Sequence, residues 1–183
     1  MKKYHIFKRT GAALTLLFLA SLAFPYQATA DSQGFNVLDG AAPQAGTLMS
    51  LTSDPGVIQQ ADASSASSLV GVVDPDETPL NLQPGQTSVA ITGSATALVS
   101  TLNGAIQVGD RIAPSSLQGI GAKATTSGWI LGVAQGSLDA GSASALRTSI
   151  TDAHGVAHTV FVERLPVLVK VAYYVATAKP STQ

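Results

Sequence analysis

The sequence predicts an all-β protein: duplicated small β-barrel or β-clip-like units in a pseudo-two-fold relation, preceded by a helical signal peptide. Three observations lead there. Ala, Ser, Thr and Gly supply 70 of the 153 residues after position 30, with 16 Val beside them. Thr and Val favour pleated surfaces, and Gly favours tight turns. Alternation with a period of two is plain near the C-terminus. There Leu165, Val167, Val169, Val171 and Tyr173 share one strand face, and Pro166, Leu168, Lys170, Ala172 and Tyr174 the other. Finally, a glycine-marked segment recurs at nearly constant spacing.

The first element is the signal. Lys2, Lys3, Lys8 and Arg9 form a positive start, residues 12–24 are apolar and uncharged, and Pro25 ends the run. Ala28-Thr29-Ala30 places small residues where a signal peptidase needs them, so cleavage is expected after Ala30. The run is thirteen residues, short of the ~20 that a spanning helix requires. An uncleaved anchor is the competing reading; the small-residue site favours cleavage. The mature chain is therefore expected outside the cytoplasm, extracellular, on the cell surface or periplasmic, with no membrane span of its own. It has six cations against eleven carboxylates, a net charge of −5. Such a balance lacks a nucleic-acid footprint. The absence of Cys excludes disulfides, thiolate metal sites and Cys nucleophiles. No cofactor is expected.

Residues 31–45 read as a flexible lead-in. The all-β body spans 46–175 in two repeats, 46–102 and 104–175, and 176–183 is a polar tail. Strands are expected at 47–51, 69–73, 88–92, 96–102, 129–134, 146–151 and 159–163, followed by the alternating stretch from Leu165. Gly46, Gly56 and Gly71 align with Gly109, Gly119 and Gly132 at offsets of 63, 63 and 61. The Val-rich segment around Val89 aligns with that around Val160 at an offset of 71, which implies an insertion of about ten residues within 137–155. Repeats of roughly 60–70 residues without cysteines are marginal alone, so a shared core is expected. Trp129 is the residue expected at or near that seam. Asn103-Gly104 is a strong two-residue hairpin-turn signal.

The run Val89-Ala90-Ile91-Thr92-Gly93, Asn103-Gly104-Ala105-Ile106, Gly109-Asp110, Gly119 and Leu131-Gly132 resembles a β-rich module of bacterial and phage surface proteins, often placed near the end of fibre-like chains. Some of that group are intramolecular-chaperone or self-cleaving tail-fibre ends. The resemblance covers about a quarter of the chain. It implies an all-β, surface-exposed module, and it carries no catalytic residue over.

Candidate chemistry is sparse. Asp110 with Ser115 or Ser116, near Lys123, can be drawn as a hydrolytic or self-cleaving group. The preferred reading has Asp110 accepting turn amides and the serines satisfying loop backbone. His154 and His158, four apart, would share a helix face for a metal. The glycine between them and the Val-rich run after them favour a turn into a strand, which sets them ~13 Å apart. A Ser/His/Asp triad from Asp152 and His154 has no nucleophile elbow behind it. Asp74, Asp76 and Glu77 lack calcium-loop spacing and are interleaved with Pro75 and Pro79, as in a rigid connector. Residues 61–68 read as a mobile small-residue loop, and Tyr173 and Tyr174 put one ring on each strand face. The function expected is that of a non-enzymatic surface or envelope module acting through protein–protein contact, with an autoproteolytic or hydrolytic module as the alternative. The partner is an unidentified surface or envelope protein, with homo-oligomerisation also open.

Overall fold

Ten strands carry the alternation seen in the sequence. They are β1 (Asp31–Val37), β2 (Leu48–Leu51), β3 (Val57–Gln60), β4 (Leu69–Val73), β5 (Thr87–Ser100), β6 (Arg111–Pro114), β7 (Gly121–Lys123), β8 (Gly128–Ala134), β9 (Leu146–Thr151) and β10 (Ala157–Tyr174). The structure is a computed structural model that describes residues 30–40, 42–77, 79–80, 82–142, 144–151 and 154–177. Residues 1–29 of the expected signal peptide, Asp152 and the tail from 178 lie outside the described residues. The protein is all-β, a single ten-stranded mixed sheet in the order β1-β3-β2-β4-β5-β7-β6-β8-β10-β9. Among the described residues, no helix is long and apolar enough to cross a membrane.

Two additional pairings, β1–β5 and β5–β10, return the sheet onto itself twice. The first closed path is β1-β3-β2-β4-β5 and the second is β5-β7-β6-β8-β10. Strand β5 belongs to both. Its residues 87–92 pair with β1 and β4, and residues 92–100 pair with β10 and β7. Gly93, with φ of 92° inside the strand, marks the changeover. A residue with a Cβ resists that angle, and such a kink lets one strand turn from one ring into the next. The two predicted strands 88–92 and 96–102 are thus one continuous strand.

The same pairing scheme occurs in both rings. Met49↔Gln60, Ser50↔Gln59 and Leu51↔Ile58 in the first match Ile112↔Lys123, Ala113↔Ala122 and Pro114↔Gly121 in the second, each 63 residues on. The pair Val73↔Val89 matches Ala134↔Val167. The fourth strand therefore corrects the sequence alignment: Val167, not Val160, takes the register position of Val89. The extra length is β9 and the start of β10, a hairpin with no counterpart in the first ring. Its Val160-Phe161-Val162 imitates the Val89 segment in composition, which is what misled the alignment.

Three further expectations change. Residues Asp31–Val37 are not a lead-in but a strand, parallel to β3 and antiparallel to β5, and they close the first ring. Gly104 does adopt φ of 97° in a turn, with its N–H donating to the Thr101 carbonyl. Yet that turn does not join a hairpin, since the next strand, β6, pairs with β7 and β8 rather than with β5. Trp129 lies beside the seam but is not buried in the shared core; it is an exposed residue of β8.

Packing follows the rings. Phe35, Met49, Ile58, Val73 and Val89, one from each strand of the first ring, form one core cluster. The larger cluster joins Val99, Ile112, Ala134, Leu165 and Val167 of the second ring to Leu48, Val72 and Ala90 of the first. Backbone bonds stitch the seam: Leu48 N–H to the Gly119 carbonyl (2.9 Å), Gly119 N–H to Ala61 (2.8 Å) and Ala63 N–H to Ser115 (2.8 Å). Gly71 and Gly132 lie where strands crowd. A Cβ on either would stand 2.0 Å from a backbone oxygen, that of Ala90 and Leu168 respectively.

Candidate functional site

The seam opens on one side into a groove of about 370 Å³. One wall is Ala63 and Ala66; the others are Leu102 and Asn103, residues 113–116 from the end of β6, and residues 124–130 from the turn into β8. No lining residue carries a charge. The first wall is stiffer than its small-residue composition suggests. The Asp62 carboxylate accepts the N–H groups of Ser64 (2.9 Å) and Ser65 (3.0 Å) and the Ser64 hydroxyl (2.6 Å). The segment Ala66–Ser68 then forms a 3₁₀ turn. The Ser64 hydroxyl bond, against a smaller burial penalty, and the two amide bonds hold the Asp62 carboxyl below the usual carboxylate range.

On β8 and β10, Trp129 and Tyr173 face each other across the pair Tyr173↔Trp129. Their rings meet edge to face, with centroids 5.8 Å apart and planes at 88°. Trp129 is 38% exposed and Tyr173 58%. The Ser127 hydroxyl accepts the Ala176 N–H at 2.9 Å, which fastens the chain beyond β10 beside the same turn.

Asp110 and Lys123 form an ion pair at 2.8 Å. Burial pushes the Asp110 carboxyl up, but the Lys123 hydrogen bond, the Gln107 N–H at 2.8 Å and the Lys123 charge outweigh it, and the group sits below the usual range. Ser115 is buried, donating to the Ile120 carbonyl (2.7 Å) and accepting the Leu117 N–H (3.1 Å). Asp110 and Ser115 stand before and after β6, so roughly 16 Å of strand lies between them. Ser116 follows Ser115 in the groove wall. The fold thus brings Asp110 to Lys123 and does not bring it to either serine.

His154 lies in the turn between β9 and β10, and His158 is the second residue of β10, opposite Ile150. Among the described residues, no three His, Asp or Glu side chains gather as a metal would need. Asp74 and Asp76 share a turn, the Asp76 N–H donating to Asp74 Oδ1 at 3.2 Å, between β4 and β5. Sequence reasoning missed the groove, because its walls come from four segments of ordinary Ser/Thr/Ala composition. The Trp signal was present, but its exposure follows only from the β8–β10 register.

The chain thus falls in the class of all-β proteins built from one mixed sheet closed through a shared strand, with an uncharged groove at the seam. Compared with known protein families and with curated proteins, it matches none.

Proposed function

We propose that this chain is an exported, non-enzymatic β-module of the cell surface or envelope, acting by protein–protein contact, and that its two rings are a duplicated pair of small barrels. The observation that carries the contact reading is the β9–β10 hairpin. Among the described residues, strand β9 pairs with β10 alone, so its outer edge has no strand partner there. An unpaired edge offers backbone donors and acceptors to another chain. Beside it, Leu98, Ile120, Leu146, Ile150 and Val162 line a shallow concavity of about 370 Å³, with Leu146 67% exposed. A partner adding a strand to β9 finds apolar pockets next to the backbone contacts. Export is supported by the Lys/Arg start, the apolar run and the Ala28-Thr29-Ala30 site, and by β1 beginning at Asp31, directly after the expected cut. The resemblance of the 89–134 region to surface-protein modules points the same way.

The test uses intact cells. A photoreactive residue at Leu146 is expected to give a discrete adduct, lost when Ser149→Lys charges the β9 edge. The same probe at Gln107, on a turn far along the chain, is expected to give none. N-terminal sequencing of the exported form is expected to begin at Asp31. Equal adducts from both positions remove the hairpin reading, and an intact Met1 on a cytoplasmic protein removes export.

A further inference from the structure

We propose that the seam groove beside Trp129 binds an uncharged glycan. Sugars present two chemistries at once, a face of C–H groups and a rim of hydroxyls. The groove offers a match for each. The half-exposed indole of Trp129 supplies a flat apolar platform at one end. Ser116, Thr125, Thr126 and Asn103 are among the other lining residues, and the Asn103 amide is held in place by donating to the Lys123 carbonyl at 3.0 Å. Hydroxyls both donate and accept, as the sugar rim does. With no cation and no carboxylate among the lining residues, the groove holds nothing to attract a sulfated or uronic chain.

The platform is set in advance. Tyr173 fixes the indole edge to face, the Ser127 hydroxyl holds the chain beyond β10, and Asp62 braces the opposite wall. A preformed site loses less entropy on binding. Its volume of about 370 Å³ is at the lower end of the range for small-ligand sites, about 300–1,000 Å³. This inference is independent of the protein–protein reading, which rests on β9.

Trp129 is the only Trp in the chain, so its fluorescence reports this site alone. The mature protein is titrated with cellohexaose, chitohexaose, mannohexaose and maltohexaose, with an oligogalacturonate as the charged control and a soluble random peptide pool as the peptide control. A saturable shift is expected with at least one neutral hexasaccharide and with neither control. Affinity is expected to change less than about threefold between ~0.05 and ~0.5 M salt, because no ion pair is formed. By calorimetry, Trp129→Ala is expected to weaken binding about tenfold or more and Thr126→Val about threefold, while Trp129→Phe keeps most of it. Far-UV circular dichroism establishes that each variant folds; should Trp129→Ala not fold, Thr126→Val and Trp129→Phe decide. Silence from all four hexasaccharides, a response to the peptide pool or oligogalacturonate instead, or undiminished affinity in Thr126→Val overturns the proposal.

Discussion

At the scale of single residues, the tightest constraint is steric. Gly132 faces the Leu168 carbonyl so closely that Gly132→Ala must displace backbone. A loss of about 1–3 kcal/mol or more is expected by urea unfolding. Gly128→Ala, where a Cβ meets open space, is expected to be neutral or stabilising by up to ~1 kcal/mol. Equal losses at the two sites would remove the β8–β10 crowding as the cause. Asp110 supplies a pH prediction. Its folded carboxyl is depressed, so its contribution is present above the unfolded value of about 3.9 and fades as pH falls through the folded one. The pair is partly exposed, 35% for Lys123 and 22% for Asp110, so Asp110→Asn is expected to cost no more than about 1 kcal/mol at pH 7. It is also expected to flatten the stability profile below about pH 4. A profile unchanged by the variant would remove Asp110 as a contributor. The glycines were legible because Gly46, Gly56 and Gly71 recur with their apolar neighbours. The fate of Ser115 was not, because a hydroxyl in a sequence does not announce which carbonyl it will meet.

At the scale of elements, the long alternating strands were legible, and of the four shortest only β2, expected at 47–51, was. The pattern from Leu165 to Tyr173 is β10, and the stretches at 69–73, 129–134 and 146–151 are β4, β8 and β9. Strands β3, β6 and β7 are three or four residues each, too short for alternation to register. In β1, Gly34 and the polar Ser32, Gln33 and Asn36 hide a strand whose single fully packed side chain is Phe35. Only its pairing to β5 and β3 makes it one. The β9–β10 hairpin stands outside the repeated scheme, so changes on its edge should act on contact rather than on stability. Leu146→Ser is expected to move the unfolding free energy by less than about 0.5 kcal/mol. A large stability loss would mean that the concavity is filled by the protein's own packing.

For the whole molecule, the shared strand governs cooperativity. Neither ring can lose β5 without opening the other, and the larger core cluster draws on both. One unfolding transition is therefore expected. Trp129 fluorescence, which reports the second ring, should coincide with amide exchange at Val89 in the first. Two separated transitions would contradict the shared core. The intact mass of the mature protein is expected to stay constant over days, since β6 keeps Asp110 and Ser115 apart; loss of mass at a single bond would revive the self-cleaving alternative. The strands that the recurring glycines flank share one pairing scheme, and those glycines were visible in the sequence. The sharing of β5 was not, because nothing in Thr92-Gly93-Ser94 distinguishes a kinked strand from a turn between two.

Thr92 on β5 stands opposite Asp31 on one side and Lys170 on the other. The start of the body and the closing stretch of its last strand thus flank one residue, about two strand spacings or roughly 10 Å apart. Ends so placed can be spliced together: a short linker from beyond Tyr174 to Asp31, with new termini cut in the exposed turn at Asp76, should leave both rings intact. By the same geometry, the body can sit as an insert within a single loop of a host protein whose gap covers those two strand spacings and the roughly 13 Å that β10 runs on from Lys170 to Tyr174.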